Sequence, residues 1–217
     1  RYLLNQLIRK YHASPEKSIA HWLDQIYEAE RDSQVLHDHG GNLHIRHLKN
    51  WINVRLFQND TEAARTLLRE QENIYDSAGL EGEMYRFCEA LILFAESRFK
   101  AWYTLIQDLK WEDNLKIANR ILQLKCLVEM WIAGDEDRKE EAERELENAY
   151  TWLRRTQLSD AERDLHRRRL LALKRIVMGG HTVSEKEKGE MEALASHDAA
   201  WLLEKYKQLN ATSRRGR

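Results

Sequence analysis

Proline occurs once in this chain of 217 residues, at Pro15, and glycine nine times. A β-rich chain of that length must reverse direction many times, and reversals draw on proline and glycine. So few of either leaves room only for long elements joined by short connections. Leucine, alanine, glutamate, arginine and lysine are abundant, and these have the best helix propensities. The chain therefore reads as all-α. Hydrophobic residues make up 42% and charged residues 33%. The first figure is enough for a core. The second exceeds the usual quarter, as expected of helices that each keep one wet face.

Capping and stop signals divide the chain into about 9–11 helices. An apolar-periodic piece from Arg1 to Tyr11 begins in mid-pattern, with Tyr2, Leu3, Leu7 and Ile8 on a side that a preceding element would cover. It reads as part of a longer chain that lacks its N-terminal portion. Ser14 and Pro15 start a second helix that reaches Val35 or Leu36. Gly40 and Gly41 break it, and Asn42 can cap the next, which runs to Phe57. Asn59 and Asp60 make a turn, with Asp60 as the N-cap of a helix ending at Gly79. Helices over about 82–96 and 98–108 follow. Asp113 opens a long helix to Ala133, Gly134 stops it, and Asp135 opens another to Thr156. Ser159-Asp-Ala-Glu162 has capping-box spacing for a helix that ends at Gly179-Gly180, and Ser184-Glu-Lys-Glu187 repeats that spacing. One or two short helices complete a single repeat domain over 1–209. The tail 210–217 is expected to be disordered.

The helix over 114–133 carries two adjacent apolar stripes. One is Ile117, Ile121, Leu124, Val128 and Trp131. The other is Leu115, Ala118, Leu122, Cys126 and Met130. So wide an apolar surface must touch more than one neighbour. Three places also share a pattern, a polar turn followed by a helix with alanine near its start: Ala64, Ala101 and Ala142. Each alanine is followed four residues later by leucine, at Leu68, Leu105 and Leu146, and the alanines are 37 and 41 residues apart. That is near the period of two-helix solenoid repeats. A small residue lets two helices approach, and the large residue one turn on fills the groove. All three alanines are expected to be buried at helix crossings.

On these residues the chain resembles the tetratricopeptide-like (TPR-like) repeat proteins. Ala142, Leu146 and Ala149 match the family's small, large, small pattern in the second helix of a hairpin. Ala64 and Leu68 match two positions, with Gln71 third, and Ala101 and Leu105 match two, with Asp108 third. The family's first-helix glycine and closing proline have no counterpart. The resemblance covers about residues 45–155. The segment LRRTQLSDAERDLHRRRLLALKRI is similar to the ends of uncharacterised bacterial repeat proteins. The resemblance implies an α-solenoid of stacked antiparallel hairpins, and with it a non-catalytic role in holding another polypeptide.

Candidate sites are few. His37, His39, His44 and His47 fall within eleven residues. His44 and His47 have the i, i+3 spacing of a ligand pair, whereas His37 and His39 point apart. The reading adopted is a helix-to-helix turn with histidines at a helix end, with no metal and no cofactor. Arg163, Arg167, Arg168, Arg169, Lys174 and Arg175 form a basic helix that could grip phosphates. The preceding helix carries eight acids against three bases between Asp135 and Glu147, so the two are expected largely to satisfy each other. Trp22, Trp102, Trp131 and Trp152 read mostly as core. No nucleophile elbow, P-loop, HExxH or dinucleotide-binding pattern occurs, and no enzymatic activity is expected. Cys88 and Cys126 lack CxxC spacing and are expected to stay reduced and apart, in a cytoplasmic setting. Formal net charge is -1, and no apolar run reaches membrane-spanning length. The expected function is a protein-interaction or scaffold segment. Its partner would be another protein or the missing part of its own chain. A regulatory nucleic-acid-binding domain using residues 163–175 is the alternative.

Overall fold

A computed structural model describes residues 2–13, 16–31, 36, 43–72, 80–107, 113–178, 189 and 201–209. The fold is all-helical, and no β-strand occurs among these residues. The chain gathers into two compact units where one domain over 1–209 is expected, residues 1–112 and 113–217. The first holds α1 (Tyr2–Ala13), α2 (Lys17–Arg31), α3 (Ile45–Phe57), α4 (Thr61–Glu70), α5 (Leu80–Ala95) and α6 (Phe99–Gln107). The second holds α7 (Asp113–Ile132), α8 (Asp137–Arg155), α9 (Asp160–Val177) and α10 over 201–209. Consecutive helices pack together throughout the first unit, and α3 also packs on α5. In the second, α8 packs on both α7 and α9, and α7 packs on α9. The expected signals at Ser14, Pro15, Asn42, Gly79, Gly179, Gly180, Ser184 and the tail 210–217 lie outside the described residues.

A repeat is written in the turns. α3, α5 and α7 each end on a residue in the left-handed region: Asn59 (φ 62), Ser97 (φ 59) and Gly134 (φ 104). Around each one, the same two backbone hydrogen bonds close the helix. Asn59 donates to Leu56 (3.0 Å) and Asp60 to Arg55 (2.9 Å). Ser97 donates to Phe94 (3.0 Å) and Arg98 to Leu93 (2.9 Å). Gly134 donates to Trp131 (2.9 Å) and Asp135 to Met130 (3.1 Å). These are the 5→2 and 6→1 bonds that satisfy the last carbonyls of a helix and reverse the chain. The turn residues are spaced 38 and 37 apart, by subtraction of their numbers, a tighter period than the alanines give.

The turn register explains where the alanine pattern fails. Ala64 and Ala142 are fully buried, with Leu68 and Leu146 buried beside them. Ala101 is only half-buried, as is Leu105, so the expected burial of the middle alanine is corrected. Counted from the turn, the equivalent of Ala64 is Trp102, five residues after Ser97 as Ala64 is five after Asn59. Trp102 and Ile106 are the buried residues of α6. Burying the indole removes far more apolar surface from water than burying a methyl group, and the helix rotates to suit it. In α8 the start is delayed by one residue, and Glu136 stands at the cap position without a side-chain bond. Asp135, expected to open this helix, instead pairs with Arg138 at 3.2 Å. The first buried residue of α8 is Ala142, eight residues after Gly134 where Ala64 is five after Asn59. Ala142→Leu should overpack this crossing and lower stability by about 1–3 kcal/mol, read as a shift in the urea midpoint at unchanged slope.

Other elements follow their capping signals. The Asp60 carboxylate accepts the Ala63 N–H at 3.0 Å. Ser159 Oγ accepts the Glu162 N–H at 3.3 Å, and the Ser159 N–H donates to Glu162 Oε2 at 3.1 Å, a complete capping box. α1 docks through Leu4 and Tyr11, both buried, while Leu7 and Ile8 are half-buried and so less open than expected. The Tyr11 ring meets Phe57 edge-on, and its hydroxyl donates to the Asn53 carbonyl at 3.2 Å. Trp22 departs from its expected place in the core: it is 61% exposed, because the buried stripe of α2 is Ile19, Ala20, Leu23 and Tyr27. Trp131 and Trp152 are half-buried. Cys88 and Cys126 are buried, form no disulfide, and lie in the cores of different units. Burial pushes the Cys88 thiol up to about 12, which keeps it protonated and unreactive.

α4 is tied to the end of α5 by a two-pronged ion pair. Arg65 Nε and one terminal nitrogen each donate to Glu96 at 2.7 Å. That hydrogen bonding holds the Glu96 carboxyl below the ordinary glutamate value of 4.5. A depressed carboxylate contributes stability that is whole above 4.5 and is lost as the pH falls through the depressed value. Glu96→Gln should therefore flatten the acid limb of the melting-temperature profile below about pH 4.5 and leave the limb above pH 8 unchanged.

Candidate docking site

Three helical stripes of the first unit converge on one cleft. From α2 come Glu28 and Arg31, from α3 Trp51 and Arg55, and from the turn and α4 Asp60, Glu62, Ala63, Thr66, Leu67 and Glu70. Each set follows the 3- and 4-residue spacing that places side chains on one helical face. The cleft has a volume of about 370 Å³ and is open to solvent. Its floor is Trp51, buried and stacked on Tyr27 with centroids 5.5 Å apart and planes 15° from parallel. The Trp51 N–H donates to Asp24 at 2.9 Å.

Arg55 organises one wall. Its Nε lies 2.7 Å from Asp24, a terminal nitrogen donates to Glu28, and the other lies 3.5 Å from Asp60. The guanidinium also sits over the Trp51 ring at 5.9 Å. At the far end Arg31 pairs with Glu70 at 2.6 Å. Four carboxylates and two guanidiniums line the cleft, and Asp24 engages Arg55 from behind. Arg31 and Arg55 are paired to Glu70, Glu28 and Asp60, so the four carboxylates outnumber the cations and the exposed Glu62, outside these pairs, leaves the lip net negative. Such an arrangement suits a guest with positive charge and an apolar stem. None of these residues stood out as a site in the sequence. Each helix alone reads as an ordinary solvated face, and only packing brings the stripes together.

The histidine-rich turn is partly described. His44 stands at the N-cap of α3, where its Nδ1 accepts the Arg46 N–H at 3.2 Å and its own N–H donates to the Leu36 carbonyl at 3.0 Å. His47 lies edge-on to both His44 and Tyr27, with centroids 6.1 and 6.2 Å away. His37 and His39 lie outside the described residues. Among the described residues, no three metal-ligating side chains are grouped to hold an ion. Histidine capping a helix was not legible, since Ser, Thr, Asp and Asn are the usual caps.

The six cations of α9 do not share a face. Arg167 and Lys174 lie on one stripe, Arg168 and Arg175 on the next, and Arg169 on the far side. Arg163 turns inward to donate to the Thr156 carbonyl at 3.3 Å, and Arg168 pairs with Asp164 at 3.0 Å. Two acids of α8 are engaged elsewhere: Glu145 with Arg120 of α7 at 3.2 Å, and Glu141 with Arg138. No helix among the described residues is long and apolar enough to cross a membrane. Comparison of the chain with protein-family models, with curated proteins and with solved structures finds no match.

Proposed function

We propose that this chain is a non-catalytic docking segment built of TPR-like stacked hairpins, and that the cleft of α2–α4 receives a basic stretch of another polypeptide. The observation that carries this reading is the cleft itself. Three consecutive helices contribute to one concave, acid-lipped surface, and stacked repeats bind their partners on such surfaces. The recurring turn at Asn59, Ser97 and Gly134 supports the hairpin repeat. So does the packing of α3 on α5 and of α7 on α9, because in stacked hairpins the first helix of each hairpin touches the first helix of the next. Two buried cysteines without a disulfide accord with a reducing compartment, and the cytoplasm is the proposed location. The nucleic-acid reading of α9 is weaker, since Arg163 and Arg168 are turned to partners within the fold and Arg169 points away from the others.

The test is fluorescence anisotropy of labelled Lys/Arg-rich peptides against the full chain, at several salt concentrations. Basic peptides should bind, and acidic ones of equal length should bind the cleft far less. Glu62 and Glu70 are exposed, so their replacement spares the core, although Glu70→Lys also breaks the pair with Arg31. Glu62→Lys with Glu70→Lys should weaken binding about tenfold, given up to about 1 kcal/mol per exposed charge contact. Basic peptides that bind equally well to the double variant would sink the cleft as the site. Turnover of a small molecule by the chain would replace the docking reading with an enzymatic one.

A further inference from the structure

α9 presents a second surface, unlike the cleft and independent of it. Between Leu165 and Met178 the helix contains no acidic residue. Its buried face is Leu170, Ala172, Leu173, Ile176 and Val177. On the solvent side, Leu171 is 39% and Met178 is 56% exposed. They are two of the three large hydrophobic side chains left exposed among the described residues, Trp22 being the third. Arg167, Leu171, Lys174 and Met178 are spaced 4, 3 and 4 apart, so they form one stripe. It alternates cation and apolar group over about 16 Å of helix. Arg167 and Lys174 are exposed and make no ion pair with a described residue.

We infer that the stripe Arg167–Leu171–Lys174–Met178 docks an acidic amphipathic segment of a partner polypeptide, one that carries carboxylates and apolar side chains at matching helical spacing. Charge complementarity selects an anionic partner, and the interleaved Leu171 and Met178 decide which kind. A phosphate backbone would meet the two cations and leave the apolar pair with nothing to bury against. A lipid surface would accept both, but interfacial helices insert a broad apolar face, and that of α9 is committed to the core. An amphipathic acidic segment satisfies both halves of the stripe. Covering Leu171 and Met178 takes both apolar side chains out of water, which favours such a partner over a purely charged one. Acids at the start of the same face, Asp160 and Asp164, set the polarity: the partner's carboxylates belong toward the C-terminal end of α9.

The test uses the full chain and a labelled synthetic peptide of Glu and Leu at helical spacing. Its Lys-for-Glu counterpart, a short DNA duplex, a single-stranded RNA and phosphatidylserine vesicles are run beside it. Two surface variants separate the contributions: Arg167→Glu with Lys174→Glu, and Leu171→Ala with Met178→Ala. All four residues are exposed, and circular dichroism melts confirm that the fold is kept. Each double variant should weaken the acidic peptide about tenfold, and the cleft variant Glu62→Lys with Glu70→Lys should leave that affinity unchanged. Two results would overturn the inference. One is no binding of the acidic peptide. The other is preference for duplex, RNA or vesicles with loss only in the charge variant, which would make the stripe a general polyanion surface. Because the cleft has its own peptide of opposite charge, failure here and failure of the proposed function are read separately.

Discussion

Trp51→Ala should lower the stability of the first unit by about 3–5 kcal/mol, the range for deleting a buried aromatic ring. The size follows from what the ring does. It is almost wholly removed from water, it stacks on Tyr27, and its N–H satisfies Asp24. Asp24 in turn holds Arg55, which faces the same ring. Removing the indole therefore opens a cavity between α2 and α3 and leaves the Asp24–Arg55 pair without its support. Trp51→Phe separates the two effects. It keeps most of the stack and loses the donor, which should cost about 1–2 kcal/mol. The measurement is equilibrium unfolding in urea, followed by circular dichroism. A loss under about 1 kcal/mol for Trp51→Ala would mean that the ring is not the keystone of this packing. The same variants bear on the cleft: Trp51→Phe should also loosen basic-peptide binding, because the position of Arg55 depends on Asp24.

Helix positions were largely legible because their signals are local. Asp60 and the Ser159–Glu162 box cap the helices they were expected to cap, and α7 spans the segment whose two apolar stripes demanded it. Three features were not legible, for different reasons. His44 caps α3 through a ring nitrogen, a use that residue statistics hide. Ala101 and Trp102 are adjacent, so a shift of one residue swaps which of them faces inward, and the deciding quantity is buried area rather than sequence pattern. Trp22 looked like core because it is large, yet the phase of α2 is set by Ile19, Leu23 and Tyr27. The cleft is hidden in another way. Glu28 and Arg31, Trp51 and Arg55, and Glu62, Thr66 and Glu70 belong to three helices, and their meeting is a property of packing that no local window contains.

Glu129→Ala should detach α10 without unfolding the rest of the second unit. Both oxygens of this carboxylate serve α10: the Trp201 N–H donates to Oε1 at 2.7 Å, and the Lys205 ammonium lies 2.9 Å from Oε2. Lys125 of α7 completes the cluster, with its Nζ 5.0 Å from the centre of the Trp201 ring. Lys125 and Lys205 are both nearly buried. Removing the carboxylate would leave two ammonium groups in a poorly hydrated place, a loss of about 3–5 kcal/mol when one partner of a buried pair is deleted. α10 has a cheaper response than tolerating that charge, which is to leave α7 and rehydrate Lys205. Hydrogen exchange over 201–209 should accelerate by about two to three powers of ten, while α7 and α9 keep their protection, and Trp201 emission should shift to the red. Burial disfavours the charged Lys205, but its hydrogen bond and attraction to Glu129 outweigh this, and the ammonium is held above its ordinary 10.5. By the linkage relation, the docking energy is present below that pH and is lost as the pH rises through the elevated value. The double replacement Glu129→Leu with Lys205→Met gives the decisive comparison. A buried pair exchanged for apolar residues of similar volume is often neutral or stabilising, so it should restore much of the protection that Glu129→Ala removes. If the double variant exchanges as fast as the single one, apolar packing cannot stand in for the ion pair, and the Trp201 hydrogen bond to Glu129 is what keeps α10 in place.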